Sequence, residues 1–263
     1  MILARLSTAI REQNWFAVTL EFVIVIAGVV IGFQITNWAQ QQREIELGES
    51  FAEDLLDDLH GEAFRGRFQV EYYGAVHHHA LRAIDLFDSE DPQQDSDFIV
   101  AIYNATQHVG RAQLRAAYDE LVATGNLRLI PDRELANRAV ANYMFDYRAF
   151  IAGYVRGSAL RDSIRRTVPY RIQTAINEQC GDTLDATGQI DGLRRDCELD
   201  LPADDIRLTA QLIRSHPTLR GDLQVYVGEL GVRYSNLQAS VSLLIENLCD
   251  YQSDLEICIA AAS

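Results

Sequence analysis

The chain of 263 residues contains no lysine, and all 23 of its basic residues are arginine. Lysine serves P-loops, protein-kinase sites, Schiff bases and Ser–Lys dyads, so these chemistries are excluded. The motifs G-x-S-x-G, G-x-G-x-x-G and H-E-x-x-H are missing too. None of the four cysteines, Cys180, Cys197, Cys249 and Cys258, forms a C-x-x-C pair, which leaves zinc and thioredoxin-like chemistry without support. No segment shows the two-residue alternation of a strand. A net charge of −15 argues against nucleic acid as a partner and against tight docking on anionic lipid. The chain therefore reads as non-enzymatic, with no catalytic, cofactor-binding or metal-ligating residue assigned.

Against these absences stands one apolar run, Trp15 to Trp38. From Phe22 to Phe33 every residue is apolar or glycine. At about 1.5 Å per residue, the run is long enough for the roughly 30 Å hydrocarbon core of a bilayer. Tryptophans at both ends match the aromatic belts of membrane interfaces. A cleaved signal peptide would end in small residues, whereas here Gln34-Ile35-Thr36-Asn37-Trp38-Ala39 follows. A soluble core helix would be striped. The run reads as an uncleaved single-pass anchor in the lipid bilayer.

Arg5 and Arg11 precede it, and an acidic stretch from Glu44 follows, so the N-terminal side is expected in the cytoplasm. The expected organisation is a cytoplasmic tail (1–14), a transmembrane helix (15–38), a stalk (39–49) and a periplasmic helical domain (50–263) at a bacterial inner membrane. About 220 external residues are ample for a domain with its own core.

Glu21 admits two readings. It can sit at the inner headgroup level, with the span running from Phe22 to Trp38. Alternatively, Glu21, Gly28 and Gly32 share one helix stripe, and Gly28-x-x-x-Gly32 is the spacing that lets membrane helices approach closely. The stripe would then face a partner helix, making a homo-oligomer. All four cysteines lie in the part placed outside, where disulfides persist. Three pairings are open, and nearest-neighbour closure, Cys180–Cys197 and Cys249–Cys258, is expected.

Beyond the span, helical character continues to Leu47. Gly48 is expected to break it, and the capping box Ser50-x-x-Glu53 to start a new helix with Phe51, Leu55 and Leu59 on one edge. Further helices are expected at 68–87, 97–108 and 111–124. Gly125-Asn126 signals a helix end, and Pro131-Asp132 the next start. Ala136, Val140, Tyr143, Tyr147, Ile151 and Tyr154 then form the stripe of a helix that runs, with a bend near Gly157, to Val168. Residues 177–204 read as an extended loop. A last long helix carries Leu219, Leu223, Tyr226, Leu230, Leu237, Val241, Leu244 and Leu248 at near-heptad spacing. The fold class is all-α, an anchor followed by an extracytoplasmic antiparallel helical bundle.

Three residue groups could carry chemistry. His77-His78-His79 cannot converge on one metal, because consecutive helix residues point about 100° apart. Asp57-x-x-His60, near Glu53 and Asp54, resembles half of a di-iron motif, but no second half exists. The acidic run from Glu44 to Glu62 reads as a solvated face. Arg148, Arg156, Arg161, Arg165, Arg166 and Arg171 form a basic stretch that either holds an anionic ligand or pairs within the chain.

Two segments carry a resemblance. Leu20 to Trp38 has a glutamate, an apolar run with internal glycine, and Gln34, Asn37 and Trp38 at its end. Ala117 to Leu135 (AYDELVATGNLRLIPDREL) has the Tyr-Asp-Glu-Leu and Gly-Asn-Leu elements. Together they resemble a bacterial single-pass membrane family of unknown function, which implies the topology and helical character and no activity. The expected role is an interaction, scaffold or sensing module with an unknown envelope protein as partner. The alternative is a metal-dependent or other enzyme, using His60 or His77 with nearby carboxylates.

Overall fold

The computed structural model describes residues 15–258. Among the described residues the chain is mostly helical, with one small two-stranded sheet. Helix α1 (Trp15–Phe87) is a single helix of 73 residues, roughly 110 Å long at about 1.5 Å per residue. It is long and apolar enough to cross a membrane, and every side chain from Val18 to Trp38 is exposed.

The break expected at Gly48, and the new start at Ser50, do not occur. One glycine costs a helix about 1 kcal/mol relative to alanine. Burial of Phe51, Leu55 and Leu59 against the domain outweighs that cost. Gly48 has a different reason to lack a side chain, since a Cβ there would overlap the Leu129 carbonyl.

After α1 come a short 3-10 turn (Pro92–Gln94), α2 (Asp95–Asn104), α3 (Ala116–Thr124), a second 3-10 turn (Asn126–Leu129) and α4 (Arg133–Tyr143). Next are α5 (Tyr147–Arg156), α6 (Ala159–Thr167), α7 (Tyr170–Cys180), strands β1 (Asp182–Leu184) and β2 (Ile190–Leu193), α8 (Ala203–Ser215) and α9 (Leu219–Tyr251). Helix α9 packs antiparallel to α1: Gly66 faces Val241, and Gly74 faces Tyr234. The eight residues of its predicted stripe are all buried.

These two helices thread both hydrophobic cores. The smaller core, nearer the apolar end of α1, gathers Leu55, Leu59, Leu121, Ile130, Leu135 and Leu248. The larger surrounds α2, whose Phe98, Ile99, Ala101 and Ile102 have no exposed surface.

Helix α2 stops at Asn104, short of the expected 108, because the backbone beyond it finds side-chain partners. Tyr226 donates to the Ala105 carbonyl (2.5 Å), Arg161 to that of Thr106, and Tyr73 to that of Val109 (2.7 Å). A buried irregular segment is tolerated when its polar groups are paired in this way. Helix α3 likewise begins later than expected, at Ala116. Gly125 ends it in the left-handed conformation, φ +71°, as its helix-end signal implies.

The single helix expected from 133 to 168 is three. Asp146 caps α5, accepting from the Arg148 and Ala149 N–H groups at 3.1 and 2.9 Å, and Ser158 caps α6 by accepting from that of Arg161. Each cap offers the backbone an alternative to continuing the helix.

The expected loop at 177–204 starts inside α7 and continues as an antiparallel hairpin, so the fold is not purely helical. Its register pairs Asp182 with Leu193 and Leu184 with Ile190. Asp185 accepts from the Thr187 and Gln189 N–H groups at the turn, and the Cys180–Cys197 disulfide closes the base. Turn chemistry and a crosslink thus hold strands too short to show alternation. A second disulfide joins Cys249 to Cys258.

Candidate functional site

Where α4 gives way to α5, the bend leaves space against α1 and α9. A pocket of about 330 Å³ opens there. Its apolar wall comes from Leu59 of α1, Leu135 of α4, and Leu244 and Leu248 of α9. Polar groups enter between them: Asn142, Asn236, Ser240 and Asn247, with Tyr147 and Tyr251 at the edge. Arg138 also lines the pocket, but its guanidinium is engaged, donating to the Asn247 carbonyl and to Glu134 Oε1. The amide nitrogen of Asn142 is buried and has no hydrogen-bond partner among the described residues.

Behind this pocket a small adjoining cavity, sharing Asn142, Tyr147, Ser240 and Leu244, reaches Glu62 and Arg148. These two form a buried ion pair with side-chain exposures of 1% and 9%. Glu62 also accepts the Leu114 N–H (2.6 Å), and Asp58 accepts that of Ala117 (2.9 Å). Part of the acidic run read as a solvated face thus points inward and holds the start of α3. Tyr143 donates to the Leu114 carbonyl at 2.6 Å. Burial first, then the Glu62 and Asp58 carboxylates, push its phenol well above the usual tyrosine range.

The other sequence-derived candidates lie elsewhere and apart. Glu21, Gly28 and Gly32 are on the exposed apolar part of α1, and a Cβ on either glycine would meet nothing within 4 Å. His77 lies against Tyr234, with ring centroids 5.4 Å apart. His78 is exposed, and His79 is buried with Nε2 2.7 Å from the Arg194 carbonyl oxygen. Burial holds His77 and His79 below the usual histidine range. His60 packs edge-on against Phe64, while Glu53, Asp54 and Asp57 are exposed. Among the described residues no three His, Cys, Asp or Glu side chains gather as a metal site.

The basic stretch is largely used inside the molecule. Arg148 pairs with Glu62, Arg161 with the Thr106 carbonyl, and Arg171 with Asp205 at 2.7 Å. Arg165 lies 3.5 Å over the Tyr103 ring, and burial pushes its guanidinium down to about 10. Arg156 and Arg166 remain exposed.

The pocket does not follow from the apolar stripe Ala136 to Tyr154, which predicts one continuous helix where the structure has a break after Tyr143. The signal that could have exposed it is Asp146, a helix-starting residue placed just after Met144 and Phe145, both exposed. Comparison with protein-family models, with curated proteins and with solved structures finds no match to this chain.

Proposed function

We propose that this chain is a membrane-anchored, non-enzymatic helical module of the bacterial cell envelope, acting by interaction, scaffolding or sensing. The observation that carries the reading is the continuity of α1 from its apolar stretch into both cores. An ordinary tether needs only a flexible linker. A rigid helix shared by span and domain transmits any shift of one to the other.

The reading places the N-terminal side in the cytoplasm, because Arg5 and Arg11 flank the span there. It places the domain in the periplasm, where two disulfides persist. The resemblance of the span and of residues 117–135 to a bacterial single-pass family supports the same location. The Glu21, Gly28 and Gly32 stripe is the proposed face for a second copy or an envelope protein.

The test uses the full chain in native membranes, with a photo-crosslinking residue in place of Val25 on that stripe. A discrete adduct is expected, its mass distinguishing a homodimer from another protein. Gly28→Leu with Gly32→Leu should weaken it. A run of glycines inserted between Gln41 and Gln42 should change the adduct while both disulfides still form. No discrete adduct, or one indifferent to the insertion, would reduce the span to a tether.

A further inference from the structure

We infer that Arg156, Arg161 and His108, backed by Arg165, form a binding site for a small, doubly charged oxyanion of the phosphate type. The fold brings these residues together from the segment after α2 and from α5 and α6. A Cβ on Gly110 would lie 4.0 Å from that of Ala152, and the Thr106 carbonyl accepts from Arg161. His108 stands between these two contacts, and Arg156 lies one turn beyond Ala152 on the same face of α5. One turn after Arg161, Arg165 stacks 3.5 Å over the Tyr103 ring and donates to Gln107 Oε1 at 3.3 Å.

Missing compensation sets this group apart. Elsewhere in a chain of net charge −15, Arg148, Arg171, Arg214 and Arg220 each pair with a carboxylate. Among the described residues no carboxylate lies within 4.0 Å of Arg156, Arg161 or Arg165. Burial first, then Arg161, Arg156 and Arg165, hold His108 below the usual histidine range. Arg161 likewise adds to the burial that lowers Arg165. A half-buried positive field without a counter-charge is costly, and an anion relieves it.

The donors that remain open define the ligand. Arg156 is exposed and has no partner among the described residues. Arg161 spends one nitrogen on Thr106, while its other two, like both of His108, keep accessible surface. Arg165 Nη1 is buried, so that residue supplies charge and no contact through it. Guanidinium forks match the oxygens of a phosphate, and several cations favour a dianion over a monoanion. An acidic protein segment would reach past the local field, about 8 Å, onto a molecule of net charge −15. A lipid headgroup is out of reach, because Tyr73, which holds the Val109 carbonyl, stands roughly 50 Å along α1 from Trp38. The inference concerns the domain alone and stands whether or not the span couples to it.

The full chain with isotope-labelled histidine, in lipid nanodiscs, is titrated with inorganic phosphate at an ionic strength held constant with chloride. His108 is followed by NMR, its signal assigned with His108→Gln. Saturable binding is expected, with His108 titrating about one pH unit higher in the bound protein, as an opposite charge nearby requires. His60, packed against Phe64 on α1, serves as the internal control.

Arg156→Gln removes an exposed, unpartnered side chain and should weaken phosphate binding about tenfold, the factor of one charge-assisted hydrogen bond. Exposed Arg166→Gln should change it by less than about twofold. No phosphate effect beyond that of chloride, or an affinity indifferent to Arg156→Gln, would overturn the site. Competition in the unmutated protein tests the ligand class. Acetate as effective as phosphate would overturn the dianion assignment, and a hexaglutamate peptide that outcompetes phosphate would overturn the choice of a small ligand.

Discussion

At the scale of single residues, Glu62 and Arg148 show how much one inward-facing carboxylate organises. Glu62 joins α1 to α5 through the ion pair and to the segment before α3 through the Leu114 N–H. Removing one member of a buried pair strands the other charge without compensation. Arg148→Ala is therefore expected to lower the unfolding free energy by about 3–5 kcal/mol in urea titrations of the full chain. Replacing both residues by methionine should recover part of that loss, leaving the Leu114 N–H without its acceptor. A loss no larger than for exposed Arg166→Ala would mean that the pair is open in solution. The reading of Glu62 as part of a solvated face is wrong, although its place on the stripe Leu55, Leu59, Glu62, Gly66, at spacings of four and three, points inward. Its partner was not legible, because 86 residues separate them and several arginines competed for the assignment.

Elements were legible where local signals stood alone. The α9 stripe, the Gly125 helix end and the Asp132 cap each follow from a few adjacent residues. Misreadings arose where a local signal met a tertiary contact. Gly48 is the clearest case, for it reads as a breaker and serves as the point where the second 3-10 turn crosses α1. Gly48→Ala should leave α1 helical but push Leu129 away and loosen the smaller core, at a cost of about 1–3 kcal/mol typical of overpacking. Gly28→Ala, where a Cβ meets nothing within 4 Å, is the matched control and should leave the domain's melting temperature unchanged. A Gly48→Ala variant as stable as that control would show that the crossing is not close. The three short helices from α4 to α6 mislead for the opposite reason: their apolar stripe keeps its period across two side-chain caps.

At the scale of the whole molecule, charge and burial together set how the domain responds to acid. His77, His79 and His108 are held below the ordinary histidine value of 6.5, chiefly by burial, with nearby His78 or arginines adding to the effect. Below that value the unfolded chain binds more protons than the folded one. Stability is then greatest above about pH 6.5 and falls as the pH drops through it toward the folded-state values. Thermal unfolding of the full chain should show a midpoint that falls over this window. His79→Gln, removing the most buried of the three rings, should flatten the dependence. A midpoint that stays level or rises would contradict the burial of these rings. Asp146 signals a break between α4 and α5, but not that a pocket lies beside it, since the pocket walls come from elements nearly 190 residues apart, from Leu59 to Leu248. Periodicity reports which face of an element is apolar, not which faces meet with a gap between them. The unbroken course of α1 also makes residue count a compass. On an ideal helix each residue inserted between Trp38 and Phe51 would turn the domain by about 100° and lift it by about 1.5 Å. Counted the same way, Leu59 lies about 180° round the axis from Gly32. Two copies joined along the glycine stripe would therefore carry their smaller cores, and the pockets beside them, on opposite outer flanks.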